Sequence, residues 1–241
     1  MSSLSLFHPL IHEWFEKNIG SPSGIQEKAW PRIAKGEHVL ITAPTGSGKT
    51  LASFLWAINS LVTGKPEPGT RILYISPLKA LNNDIQKNLM GPLSGLRELF
   101  GQHNSFFPEI SVMVRSGDTP ESERRYMRLH PPEILITTPE SLAIMLASLS
   151  AHAMFSGLKT VILDEIHAVA ESKRGTLLAS SIERLTLLAG EFQRIAASAT
   201  VNPLHAVADF VGGYCLLQTT GGLVYRKRPV SIIEDTNYVK K

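Results

Sequence analysis

Eight consecutive residues, Ala43, Pro44, Thr45, Gly46, Ser47, Gly48, Lys49 and Thr50, have the composition and order of a loop that wraps phosphate. Glycines let backbone N–H groups close around phosphate oxygens, Lys49 sets a point charge against the terminal phosphates, and Thr50 offers a hydroxyl to magnesium. A helix opening at the end of the loop would add its partial positive charge. Ala43 stands where such loops usually begin with glycine, which is tolerable if its φ is negative. Far along the chain, Asp164 and Glu165 follow an apolar run. In that position Asp164 could hold magnesium through water, and Glu165 could polarise the water that attacks a terminal phosphate. Alone, the loop says nucleotide, and the acidic pair is as often a surface turn. Together they point to a nucleoside triphosphate with magnesium. Ser198, Ala199 and Thr200 end the next apolar run, where Ser198 and Thr200 either hydrogen-bond toward the acidic pair or cap the following helix.

These residues need strands to carry them. Short apolar runs, many rich in β-branched residues, fall at Val39 to Thr42, Arg71 to Ser76, Ile110 to Val114, Ile134 to Thr137, Thr160 to Leu163 and Arg194 to Ala197. They alternate with helical periodicity at Thr50 to Val62, Lys79 to Leu89, Glu121 to Leu129, Ser141 to Leu149, Thr176 to Ala189 and Pro203 to Val211. This pattern predicts an α/β fold with a largely parallel central sheet and helices on both faces. In such sheets ligands sit at the carboxyl ends of strands, where both the loop and the acidic pair fall. Two further helices, His8 to Lys17 and Ile25 to Ala34, precede the first strand. The expected organisation is an amino-terminal cap over 1–37, a nucleotide-binding domain over 38–218, and an exit segment over 219–241.

Composition narrows the setting. The chain's 241 residues, 43% hydrophobic, suffice for one large core but not for a second domain of similar size. A net charge of +3 means that any nucleic-acid surface is a local patch rather than a global field. The single cysteine, Cys215, excludes an internal disulfide and reads as a core residue. No apolar stretch approaches the roughly twenty residues that cross a bilayer, so no membrane partner and a reducing cytoplasm are expected.

With these pieces in order, the chain resembles the superfamily two DExH-type helicases, and most closely the large helicase-related family, Lhr. The resemblance rests on APTGSGKT at Ala43, SPLKAL at Ser76, RSGDT at Arg115, TTPES at Thr137, DEIH at Asp164 and SAT at Ser198, and it spans nearly the whole chain. It implies a RecA-like motor domain, ATP with magnesium, and single-stranded nucleic acid as partner, DNA ahead of RNA. Pro22 to Gln26 looks like the family's adenine-reading segment, with the Gln26 amide on the base edge and the phosphates held by Thr45 to Thr50. Phe7 is a candidate to cover the adenine face, although a hydrophobic residue before a helix more often packs on that helix. Pro77 and Lys79, Arg115, and Thr138, Pro139, Glu140 and Ser141 look like grips on a strand's backbone, and free N–H groups and hydroxyls at helix starts suit that task. In the family His167 couples hydrolysis to the nucleic-acid site. Lys173 and Arg174 read either as a nucleic-acid contact or as a basic loop.

A complete motor of this type closes ATP against a second RecA-like domain that supplies an arginine finger. No such domain fits in this sequence, so a piece of a longer helicase with little hydrolysis of its own is expected. A competing reading is a nucleotide-dependent clamp that holds nucleic acid without moving along it. An unrelated phosphate-loop ATPase is disfavoured by SPLKAL, TTPES and DEIH together.

Overall fold

The computed structural model describes residues 2–77, 85–199 and 202–234. Seven strands form its main sheet: β1 (His38–Thr42), β2 (Ile72–Ile75), β3 (Val112–Arg115), β4 (Ile134–Thr137), β5 (Thr160–Leu163), β6 (Gln193–Ser198) and β9 (Val230–Glu234). Their order is β3-β4-β2-β5-β6-β1-β9, with every neighbouring pair parallel. All seven carboxyl ends therefore share one edge, and the phosphate loop and the acidic pair leave from it on either side of β6.

The sequence makes this sheet because its strands are apolar on both faces. Every residue of β2, β4 and β5 is buried, as parallel strands between two helical layers require. Within β1 the alternation sorts Val39 and Ile41 to one core and Leu40 to the other. The first core takes Ile25 and Trp30 from the helix Gly24–Ala34, Phe54 from Lys49–Thr63, and Leu96 from Gly91–Gln102. The second takes Leu142 from Pro139–Leu146, Leu178 from Lys173–Ala189 and Val211 from Leu204–Gly212. Trp30 is fully buried and its indole Nε1 donates to Ala52 O at 3.0 Å, so burial worth roughly 1.5–3 kcal/mol leaves no unpaired polar atom. The residues expected to form a cap thus share one core with the sheet.

The region after residue 213 departs from expectation. Tyr214–Thr219 (β7) and Gly222–Lys227 (β8) pair as an antiparallel hairpin, and β9 returns to the main sheet beside β1. The boundary at 218/219 is therefore corrected: residues 230–234 belong to the sheet. Arg228 anchors the return, its side chain donating to Glu183 Oε1 at 3.1 Å and Glu191 Oε1 at 2.7 Å. Cys215 is partly exposed on β7 and not a core residue, because the hairpin has no helical layer of its own. The helix Gly91–Gln102, hidden in the sequence by Gly91, Pro92, Gly95 and Gly101, buries Leu93, Leu96, Leu99 and Phe100. The amino-terminal part of the helix expected over 79–89 lies outside the described residues, and a π-helix runs over Gln86–Met90.

Candidate nucleotide site and strand-gripping edge

β1 delivers the phosphate loop with its first residues sewn to β6. Thr42 Oγ1 donates to Ala199 O at 3.2 Å and Ala43 N to Ser198 O at 3.3 Å. Among the described residues the only non-glycine positions with positive φ are Asn104 and Glu165, so Ala43 meets the condition set for it. Gly46 and Gly48 have φ of 81° and 90°, and the helix Lys49–Thr63 starts directly after Gly48. Lys49 is buried, its Nζ donating to Ala43 O at 2.5 Å and Pro44 O at 2.9 Å. A phosphate that took up Lys49 would have to replace those two carbonyls. Burial pushes the Lys49 amine below its ordinary pKa, against the opposing pull of Glu165 and Asp164. Ser47 Oγ is buried in the loop without a hydrogen-bond partner among the described residues.

β5 carries Asp164 to the same edge. Its Oδ2 accepts from Thr50 Oγ1 at 3.2 Å and from the Tyr74 hydroxyl, and its Oδ1 accepts from Glu165 N at 2.9 Å. Tyr74 is a contributor the sequence did not disclose. It sits inside β2 with its ring stacked on Phe54 at 4.7 Å, so only its hydroxyl is polar business. The Thr50 hydroxyl and the Asp164 carboxylate form a hard-oxygen pair of the kind magnesium takes, with its other positions left to water and phosphate. That donor set fits the metal.

Glu165 adopts the left-handed region, φ 50° and ψ 40°, an unfavourable conformation for a residue with a Cβ. Its Oε2 lies 3.2 Å from His167 Nδ1, and the same nitrogen is 3.3 Å from Ala199 N. A protonated Nδ1 donates to Glu165, and a bare Nδ1 accepts from Ala199, so one contact excludes the other. Ser198 Oγ is buried nearby without a hydrogen-bond partner among the described residues. Thr200 lies outside the described residues.

The cleft over the loop has a volume of ≈ 580 Å³ and is walled by Gln26, Ile19 and the segment 45–51, with Lys87, Asn88 and Glu165. Gln26 is buried at its base. Its Oε1 accepts from Ser23 N at 2.9 Å and its Nε2 donates to Gly48 O at 3.3 Å, which joins the expected base-reading segment to the phosphate loop. Gly48 suits that position because its φ of 90° is one that residues with a Cβ rarely adopt, and a Cβ there would also press on Gln26 Nε2 at 2.7 Å. Phe7 does not line this cleft. It is buried edge-on against Trp30 at 4.8 Å and Trp56 at 5.2 Å, which corrects the adenine-covering candidate. A larger cavity of ≈ 1030 Å³ lies elsewhere, between the helix Lys173–Ala189 and the hairpin, and touches none of these residues.

The expected strand grips lie at the ends of β2, β4 and β3, three neighbours in the sheet. Ser76 N donates to Thr137 O at 3.1 Å and Thr137 Oγ1 to Arg115 O at 2.7 Å, tying the three ends together. Thr138 caps the helix Pro139–Leu146, its Oγ1 accepting from Ser141 N at 3.3 Å. Arg115 is buried and lines a small cavity of ≈ 70 Å³ with Arg124 and Arg128. Burial, then the Arg124 charge, lowers its pKa. Glu140 meets Arg174, whose Nε donates to Oε1 at 2.5 Å, while Arg174 Nη2 donates to Pro77 O at 2.9 Å. Lys79 lies outside the described residues.

Residues 23–208 match the family described as DEAD/DEAH box helicase. The chain is 50% identical over 213 residues to the Lhr helicase/probable uracil glycosylase of Mycolicibacterium smegmatis, covering 87% of this chain and 14% of that protein. It is 42% identical over 241 residues to the ATP-dependent helicase Lhr-Core of Methanothermobacter thermautotrophicus, covering 98% of this chain and 27% of that protein. A solved structure of Mycobacterium smegmatis helicase Lhr bound to ssDNA and AMP-PNP superposes with a TM-score of 0.86 at 45% identity, over 97% of this chain and 28% of that one. The chain thus spans between 14% and 27% of the length of these curated relatives. Among the described residues no helix is long and apolar enough to cross a membrane.

Proposed function

Because the chain belongs to the DEAD/DEAH box helicase family, we propose that it is the first motor domain of an Lhr-type helicase. On this reading it binds ATP with magnesium in the cleft over the phosphate loop. Joined to a second RecA-like domain, it couples hydrolysis to movement along single-stranded nucleic acid in the cytoplasm. DNA is favoured over RNA, in line with the 45%-identical Mycobacterium smegmatis structure, which holds ssDNA. The observation that carries the reading is the approach of Thr50 Oγ1 to Asp164 Oδ2, 3.2 Å, with Lys49 at the start of the same helix.

The residues divide the work as follows. Lys49 leaves the carbonyls of Ala43 and Pro44 to meet phosphate oxygens, and the N–H groups of residues 45–50 surround them. Thr50 and Asp164 hold magnesium, which when bound offsets phosphate charge. Glu165 Oε2 takes the proton of the attacking water, and His167 Nδ1, held between Glu165 and Ala199, relays that change toward Ser198 and Thr200. Gln26 reads the adenine edge while keeping its hold on Gly48. Pro77, Lys79, Arg115, Thr138, Pro139, Glu140 and Ser141 grip the strand's backbone at the far end of the sheet. An arginine finger supplied by another domain can raise hydrolysis by about 10³–10⁵, so binding is the property to measure on this chain.

The test is binding of a fluorescent ATP analogue with magnesium, with and without oligothymidylate, to this chain and to Lys49→Ala. The expected result is an affinity lowered at least about tenfold in the variant, a loss of 1.4 kcal/mol or more, and altered by the strand in the wild type. Equal binding by the variant would overturn the phosphate-loop assignment.

A further inference from the structure

We infer that Arg174 is a positioning residue that holds two separate strand-gripping segments at a fixed spacing and ties them to the acidic site. The role rests on the nucleic-acid reading above and adds to it a residue outside the family motifs. Arg174 sits in the first turn of the helix Lys173–Ala189, which Ser172 caps by accepting from Gly175 N. Its guanidinium reaches two other segments at once. Nε and Nη2 face the two oxygens of Glu140, at 2.5 and 3.3 Å, and Nη2 also donates to Pro77 O at 2.9 Å. Pro77 follows β2 and Glu140 opens the helix after β4, so one planar fork spans the ends of adjacent strands.

The other end of this strap is rigid. A Cβ at Gly175 would fall 2.2 Å from Val169 O, so the helix start lies flush on the turn that follows Ile166–Ala168. That turn continues directly from Asp164 and Glu165, so the helix start that carries Arg174 is packed against the segment leaving the acidic pair. The side chains of Arg174 and Glu140 are 43% and 46% exposed, and an ion pair so open to water adds little to fold stability. What the pair does supply is direction. Two parallel bonds plus a carbonyl contact define an orientation that a single flexible charge cannot.

The test is fluorescence anisotropy of labelled oligothymidylate with the full chain at saturating magnesium and AMP-PNP, over a range of salt. Arg174→Ala is expected to weaken strand binding about five- to tenfold with nucleotide affinity and Tm unchanged. Arg174→Lys is expected to behave like Arg174→Ala, since it keeps the charge and loses the fork, and Glu140→Gln is expected to weaken binding as well. The slope of log affinity against log salt should stay that of the wild type, because no phosphate contact is removed. Restoration by lysine, a slope reduced by about 0.7 or more, or tighter binding by Glu140→Gln would each overturn the role and make Arg174 a phosphate contact instead. Unchanged affinity in Arg174→Ala would also overturn it. Failure of the wild-type chain to bind the strand at all would instead sink the nucleic-acid reading, and this role with it.

Discussion

Replacing Tyr74 with phenylalanine isolates the contribution of one hydroxyl to the acidic site. The ring stays stacked on Phe54, 4.7 Å away, and the strand remains apolar, so no cavity opens. What disappears is a donor to Asp164 Oδ2, an oxygen that then retains the Thr50 hydroxyl at 3.2 Å. A hydrogen bond to a charged group contributes about 1.5–3 kcal/mol, and the partner left behind here is buried. For a chain of this size roughly 2–4 °C of Tm accompanies each kcal/mol, so a fall of about 3–12 °C is expected. Asp164 also loses one of the three contacts that orient its carboxylate. Magnesium-dependent affinity for an ATP analogue should therefore drop about fivefold or more, whereas binding without magnesium should not change. Thermal melts and paired titrations with and without magnesium read both effects. A Tm within about a degree of wild type together with an unaltered magnesium dependence would refute the reasoning, since the phenol would then contribute nothing to the carboxylate.

Further outcomes follow from the same geometry. Burial, reinforced by the charges of Arg194 and Arg228, lowers the His38 pKa to about 4. The unfolded chain takes up its proton near 6.5 and the folded chain only near 4, so stability is full above the first value and falls by roughly 3 kcal/mol across that window. His38→Gln should flatten the dependence in urea melts between pH 7 and 4; an equally steep fall in the variant would remove His38 as its source. Phe7→Ala should cost about 3–5 kcal/mol of stability through the cavity left between Trp30 and Trp56. At a temperature where it stays folded, its preference for ATP over GTP should equal the wild type's, and a lost preference would return Phe7 to the base site.

The middle of the sheet was legible because β2, β4 and β5 are wholly buried. Ile134 to Thr137 and Thr160 to Leu163 read as continuous apolar runs, and both match the observed strands residue for residue. The edge elements were hidden for the opposite reason. The hairpin of β7 and β8 is exposed, and its short apolar runs at Tyr214 to Leu217 and Leu223 to Tyr225 carry no sign of which strand they pair with. The residues Val230–Ile233 were visible as an apolar run, but nothing local says that a run pairs with a strand 192 residues earlier, as Val230 does with His38. Within the site, loop and acidic pair were legible because their order in sequence is the order of their chemistry. Tyr74 was not, since in an apolar strand its ring accounts for its presence and its hydroxyl declares no partner. Arg174 was ambiguous for a related reason: a basic residue at a helix start is equally at home in solvent, and only the position of Glu140 and Pro77 decides otherwise.

The pairing of β9 with β1 also has a mechanical meaning. His38 to Thr42 lie opposite Val230 to Glu234, so the two strands end level with each other, one continuing into the phosphate loop and the other into residue 235. Lys28 Nζ holds Glu234 O at 3.0 Å, bringing in the helix that carries Gln26. A pull on the polypeptide beyond Glu234 along the strand would load these pairs in shear, all at once, instead of unzipping them one by one. The strand that feels that load first is the one that presents Thr42 to the loop. Tension there would fall on the same few residues that lead the chain into the loop.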